Sequence, residues 1–313
     1  MQRIEFKRPE SYQKRKYFVD ATFKIIFRIA GFISALFIVL IFAFILNKGI
    51  RVFLPGYEYG QQNLWQFLTG LQWRQDIHRY GVLFIIINTL VSSLGAVLIS
   101  FPLSVLSALF IVKIAPKKIS AIMTTIVELL AAIPSVVYGV FASGFIVYIV
   151  DALAVTFGFH SWGGNSLLAV ILLLAIMIYP TITMLSIAAI KAVPQQLENG
   201  SLALGASATQ TNFKVILVAA KSGIFAGLIL GLGRAFGEAT AVSMVAGNKM
   251  FGPTFNLFDI TRTLTSTMLA GLKETTGLDY DIRFSVGIVL MIIILVTNYL
   301  INRVKAQIGR SGE

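Results

Sequence analysis

An arginine and a glutamate stand four positions apart in ILGLGRAFGEATAV, residues 229–242, a segment otherwise apolar enough to lie in a membrane. Charge at bilayer depth is costly, about 2.5 to 17 kcal/mol for an arginine depending on the reference system. Such groups persist where they face a protein interior or a water-filled path, so Arg234 and Glu238 point to transport of a charged solute. On a helix of 3.6 residues per turn, Gly227, Gly231, Arg234 and Glu238 fall within about 60° of one another. Gly233 and Gly237 join Ala226, Leu230 and Ala241 in an adjacent stripe of mainly small residues, which lets helix backbones approach closely. The segment reads as a helix packed on one stripe and presenting charge along the next. The competing reading is a self-neutralising pair, although arginine before glutamate is the weaker order at this spacing.

A second carboxylate, Glu128, lies in VELLAAIPSVVYGV, residues 127–140. Pro134 interrupts that helix by removing a backbone donor, and the freed carbonyls must find partners in protein or water. A broken helix bearing a carboxylate suits the lining of a cavity. A partner for Arg234 or for a neighbouring hydroxyl is the equal alternative. Tyr179 and Pro180 read as packing and kink residues.

Other chemistries find little support. The chain has no cysteine, which removes disulfides, thiolate zinc sites and thiol catalysis. Two histidines, His78 and His160, argue against a histidine-based metal site. No Gly-Lys dipeptide occurs, so there is no Walker A loop for ATP. Glu128 and Glu238 lie on separate spans with no histidine among them, which argues against an intramembrane enzyme.

The elements that must position these charges are membrane helices. Of 313 residues, 57% are hydrophobic and 13% charged, against about 25% charged in a soluble domain. A crossing needs about 20 mostly apolar residues, and six segments qualify: 25–46, 82–112, 119–150, 166–190, 216–246 and 284–301. The first apolar run continues well past the length of a cleavable signal peptide. With the N-terminus in the cytoplasm, that side holds seventeen bases and five acids, the far side eight and seven. The entire net charge of +12 then sits inside, as the positive-inside rule expects. The basicity is a topology signal and argues against a nucleic-acid partner. The basic arm, residues 1–24, either meets a partner or rests only on anionic membrane lipid. The outer loop 47–81 carries Tyr57, Tyr59, Trp65, Phe67, Trp73 and Tyr80, which read as interfacial anchors. The other long outer loop, 247–283, has room for a short helix.

Between the fourth and fifth spans runs KAVPQQLENGSLALGASATQTNFKVILVAA, residues 191–220, whose first part, 191–215, is a cytoplasmic loop. Pro194 can open a short helix, and Gly205 interrupts it where a side chain would hold a partner surface away. The loop resembles the Glu-Ala-Ala loop of ABC-importer permeases. Counted back from Gly205, that triplet falls on Asn199, Gly200 and Ser201, with the glutamate displaced to Glu198 and the final proline absent. GLGRAFGEATAVSMVAGN (231–248) and ELLAAIPSVVYG (128–139) resemble the fifth- and third-span signatures of phosphate ABC-importer permeases of the C type. FLTGLQW with YGVL (67–83) is similar to their first outer loop, although Gln75, Phe84 and Asn88 replace prolines and a glycine common there. The resemblance runs in order from about residue 25 to the end.

It implies an all-α, six-span type I importer fold with both termini inside. The chain is then half of a heterodimeric pore for inorganic phosphate in a bacterial cytoplasmic membrane, with an A-type permease as the other half. The implied partners include an extracytoplasmic phosphate-binding protein and two ATPase subunits that hold ATP and Mg, with no cofactor in this chain. Glu198, Asn199, Gly200, Ser201 and Gly205 then form the ATPase-coupling surface. The alternatives are an ABC permease for sulfate or molybdate, and an ion-coupled secondary anion carrier. No pair of inverted repeats of the kind such carriers use is evident.

Overall fold

The computed structural model describes residues 10–253 and 255–310, with the side chains of 10–16, 18 and 304–310 outside that description. Helix α1 (Glu10–Arg51) starts within the expected basic arm. Residues 10–24 of that arm are helical and run without a break into the first crossing, and residues 1–9 lie outside the described part. The crossing Val19–Arg51 is peripheral, with none of its most apolar stretch buried. It is fastened at its outer end. Gly49 brings α1 so close to Ile288 and the Phe284 backbone that an added Cβ sits 2.7–2.8 Å from them. The Ser285 hydroxyl donates to the Gly49 carbonyl at 2.7 Å.

The first outer loop holds α2 (Leu64–Thr69), whose first N–H groups are capped by Asn63, and a hairpin of β1 (Trp73–Arg74) and β2 (Arg79–Tyr80). Here the structure corrects the interfacial-anchor reading. Tyr57, Phe67, Trp73 and Tyr80 are buried with Val52, Phe84, Leu264 and Ile282 in an outer core; Tyr59 and Trp65 are exposed. Small outer domains need apolar fill of their own, and these rings supply it. Tyr57 donates to Asp281 at 2.9 Å. Burial, then that carboxylate, pushes its phenol well above the ordinary range, so it remains the donor at physiological pH.

Then follow α3 (Leu83–Leu109), α4 (Lys117–Ala132), α5 (Ser135–Phe141), α6 (Val147–Thr156) and α7 (Leu167–Lys191). The cytoplasmic segment contains α8 (Gln195–Ala203) and α9 (Ala208–Thr211), and the last part comprises α10 (Leu217–Gly237), α11 (Thr240–Val245), α12 (Leu264–Leu269) and α13 (Leu278–Arg310). Wider π turns at Phe110–Ile114, Ala142–Ile146 and Asn212–Ile216 join α3 to its end, α5 to α6 and α9 to α10. Six helical stretches are long and apolar enough to cross a membrane.

Two of them differ from the hydropathy reading. The expected third span, 119–150, is broken after Ala132, and the crossing is Ser135–Thr156, led in by α4. At 1.5 Å per residue, the sixteen residues of α4 reach only about 24 Å. The expected fifth span, 216–246, instead runs Ala208–Gly237 and stops at Glu238.

Helix α7 is the axis of the bundle, with two-thirds of its most apolar stretch buried, and it packs most extensively on α3 and then on α10. Serines and threonines line the α3–α7 seam, including the fully buried Ser92, Ser104, Thr183 and Ser186, and small side chains let the helices close up. Pro180 leaves α7 continuous. Tyr179 ties it to α3 through Ser107, 2.9 Å away, and its carbonyl accepts from Ser104 at 3.1 Å.

Candidate functional site

Arg234 occupies the last turn of α10 and is partly exposed. A cation there is favoured by the negative end of the helix dipole. Its Nη1 donates to Thr181 Oγ1 on α7 at 2.9 Å. Among the described residues no carboxylate lies within 4 Å of Arg234.

Glu238 is not on the Arg234 helix face. Its backbone is extended (φ −75°, ψ 113°), and α10 has already ended at Gly237. The carboxylate turns forward instead, and its Oε1 accepts the Ala241 N–H at 3.0 Å at the start of α11. The Glu238 carbonyl accepts the Thr265 hydroxyl at 2.7 Å. These bonds satisfy backbone groups that a break at membrane depth would otherwise leave bare. The glycines divide in the same way. Gly227 and Gly231 press on Leu185 and Ile182 of α7, whereas a Cβ at Gly233 or Gly237 meets nothing from other elements among the described residues within 4 Å.

The other break lies at Ile133–Pro134. Pro134 cannot donate to the Leu130 carbonyl one turn back; the Ile133 N–H reaches it at 3.3 Å and the Tyr138 hydroxyl donates to it at 2.9 Å. Tyr138→Phe removes the shorter of the two bonds and should lower stability by about 0.5–1.5 kcal/mol, read as a fall in the thermal midpoint in detergent. An unchanged midpoint would show that the carbonyl needs no such partner. Gly139 sits against Ala241 and Met244 of α11, so the helices that resume after the two breaks are packed together. Tyr138 is also within range of the Arg234 charge. Glu128, by contrast, is exposed on α4 and, among the described residues, pairs with neither Arg234 nor any other base within 4 Å.

On the cytoplasmic side Pro194 precedes α8. Glu198 pairs with Lys113 in the π turn after α3 at 2.5 Å, both partly buried. Ser201 shares a 2.9 Å hydrogen bond with Thr211, while Asn199 and Gly200 are exposed. Gly205 has φ +85°. The Gly205 N–H reaches the Leu202 carbonyl and the Ala206 N–H the Ser201 carbonyl, at 3.0 and 3.2 Å. This double bond pattern closes a helix with a left-handed residue, where glycine is favoured. The glycine thus has a conformational role that the surface-clearance reading did not include. Leu204, 91% exposed, is left on the outer surface. A double-mutant cycle on Lys113 and Glu198 should return about 1 kcal/mol of coupling, between the values for exposed and buried pairs; strict additivity would dissolve the tie.

Sequence reasoning passed over Thr181, Lys113 and Tyr138. Only Tyr138 carried a local signal, a hydroxyl four residues after a helix-breaking proline. Thr181 and Lys113 meet their partners across 53 and 85 residues of chain.

Five crossings around a central sixth, with helix breaks at the start of one and at the end of another that carries a partly exposed guanidinium, define a polytopic membrane permease. Residues 100–311 match the family described as binding-protein-dependent transport system inner membrane component. The chain is 37% identical over 249 residues to the probable ABC transporter permease protein YqgH of Bacillus subtilis, covering 77% of this chain and 78% of that one. It is 32% identical over 262 residues to the phosphate transport system permease protein PstC of Pasteurella multocida, covering 78% and 82%. A solved bacterial alginate ABC transporter shares the fold, with a TM-score of 0.61 at 17% identity over 95% of this chain and 98% of that one. The chain belongs to the binding-protein-dependent transport system inner membrane component family. It is an ABC-importer permease subunit of type I fold, multi-pass in the cytoplasmic membrane.

Proposed function

We propose that this permease carries inorganic phosphate, as one half of a heterodimeric pore whose other half is an A-type permease. The observation that carries the reading is Arg234. It is a partly exposed guanidinium at a helix break, held by a neutral hydroxyl and, among the described residues, without a carboxylate within 4 Å. A cation so placed offers an anion in transit a point of attraction. Glu238 and Glu128 temper that attraction, since conduction requires that the solute can also leave. The names carried by relatives of 32% identity such as PstC favour phosphate over other oxyanions. An extracytoplasmic phosphate-binding protein delivers the substrate, and two ATP-binding subunits holding ATP and Mg drive the cycle. Helix α8, with Glu198 to Ser201 and the Gly205 cap, is the surface that rests on an ATPase.

Radiolabelled phosphate uptake in cells lacking this chain, with and without re-expression, tests the proposal. Uptake should return with the chain, require ATP and resist excess sulfate or molybdate. Restored sulfate or molybdate uptake without phosphate uptake would reassign the substrate. Uptake that follows an ion gradient without ATP would overturn the importer reading.

A further inference from the structure

The outer loops contain a second arginine with no counter-charge. Arg262 is 8% exposed, and its one hydrogen bond among the described residues runs from Nη2 to the Asn248 carbonyl at 3.1 Å. Among the described residues its Nε has no partner, and neither has Asn248 Oδ1 or the Thr261 hydroxyl beside it. No carboxylate of the described residues lies within 4 Å of Arg262. A buried charge left unpaired is strongly unfavourable unless something neutralises it. The charge that acts on it makes the deficit worse. Arg283, 3% exposed, repels Arg262, donates to the carbonyls of Asp279, Thr267 and Ala270, and is offset by the charges of Asp279 and Glu274 rather than by anything beside Arg262. Burial and then the Arg283 charge pull Arg262 down to about 10, so it still holds its proton at neutral pH. Lys249 is committed to Asp259.

Arg262 lines a cavity of about 490 Å³ together with Trp73, Arg74, Gln75, Asp76 and Phe251. The walls belong to both long outer loops and are fastened together. The Trp73 N–H donates to the Met250 carbonyl at 2.7 Å and the Gly252 N–H to the Leu71 carbonyl at 3.1 Å. Arg74 is paired with Asp76 at 2.5 Å, at an exposed position. The three charged side chains of the cavity thus leave a net positive charge, with Arg262 as its unpaired member.

We propose that this cavity is an outer anion site, where a tetrahedral oxyanion neutralises Arg262 before import. Arg262 is nine-tenths covered, so a small free ion reaches it where the surface of a folded partner does not. Phosphate as the ion rests on the function proposed above; the missing counter-charge stands apart from it.

The full-length chain in lipid nanodiscs is titrated with inorganic phosphate at constant ionic strength. Trp73 fluorescence reports the cavity once Trp65 and Trp162, both exposed, are changed to phenylalanine. A saturable response should appear, persist in Arg234→Gln, weaken at least tenfold in Arg262→Gln, and be partly kept in Arg262→Lys. Arg74→Gln, at an exposed position, should weaken it two- to threefold. Where Arg262→Gln does not fold, the lysine and Arg74 variants decide, and unchanged affinity in both overturns the site. Absence of a saturable response, or an equal response to chloride, overturns it too. So does an intact phosphate response in Arg262→Gln combined with loss of co-purifying subunits, which makes Arg262 a protein contact. A response to sulfate but not phosphate supports the outer site while refuting phosphate as the substrate.

Discussion

Cells carrying Arg234→Gln should take up phosphate at least about thirtyfold more slowly than wild type, with the subunit still present in the membrane at normal levels. Losing a charge that engages a largely desolvated ligand costs about 2–5 kcal/mol, and 1.4 kcal/mol is a factor of ten. Gly227 and Gly231 seat α10 against α7 whatever side chain stands at 234, so assembly should not depend on the charge. Arg234→Lys keeps the charge but loses the planar fork that meets two oxyanion oxygens at once, and should fall between the two. The controls are membrane abundance and co-purification with the other subunits. Near-normal uptake by the glutamine variant would remove Arg234 from the path and the anion reading with it.

The second large effect is expected at Gly205. Its φ of +85° lies where a β-branched residue is strained, at about 1–3 kcal/mol. Gly205→Val should open the cap on α8 and displace the neighbouring Leu204 surface. In proteoliposomes containing the whole transporter, the phosphate moved per ATP hydrolysed should fall at least tenfold while hydrolysis continues. Gly205→Ala adds less bulk and should lose less. An unchanged ratio in the valine variant would count against α8 as the element that carries ATPase motion into the pore.

The six crossings were legible because hydropathy reports burial in lipid directly. The break at Pro134 was legible for a similar reason, since a missing donor is a local property of the residue. The break at Glu238 was not. GRAFGEATAV contains no proline, and α10 ends where Glu238 caps the following helix and Thr265, from another segment, takes its carbonyl. Placing Arg234 and Glu238 on one face followed from extending an ideal helix past a point that tertiary contacts had closed. Tyr57, Trp73 and Tyr80 were misread because an aromatic in a polar loop looks alike whether it meets headgroups or a small core. Their burial depends on α13 and on residues beyond 260. Gly205 was legible as an interruption, but its left-handed backbone became apparent only from the hydrogen bonds that close α8.

The continuous rod from Ala208 to Gly237 has its foot beside Ser201 of α8, through Thr211, and its tip at Arg234. From Thr211 to Arg234 the chain advances about 23 residues, which at about 1.5 Å each makes a lever roughly 35 Å long. A tilt of about 5° at its base therefore sweeps the far end through about 3 Å. Work done on the cytoplasmic face can be delivered to the charged tip as displacement, with no change in the shape of the beam between them.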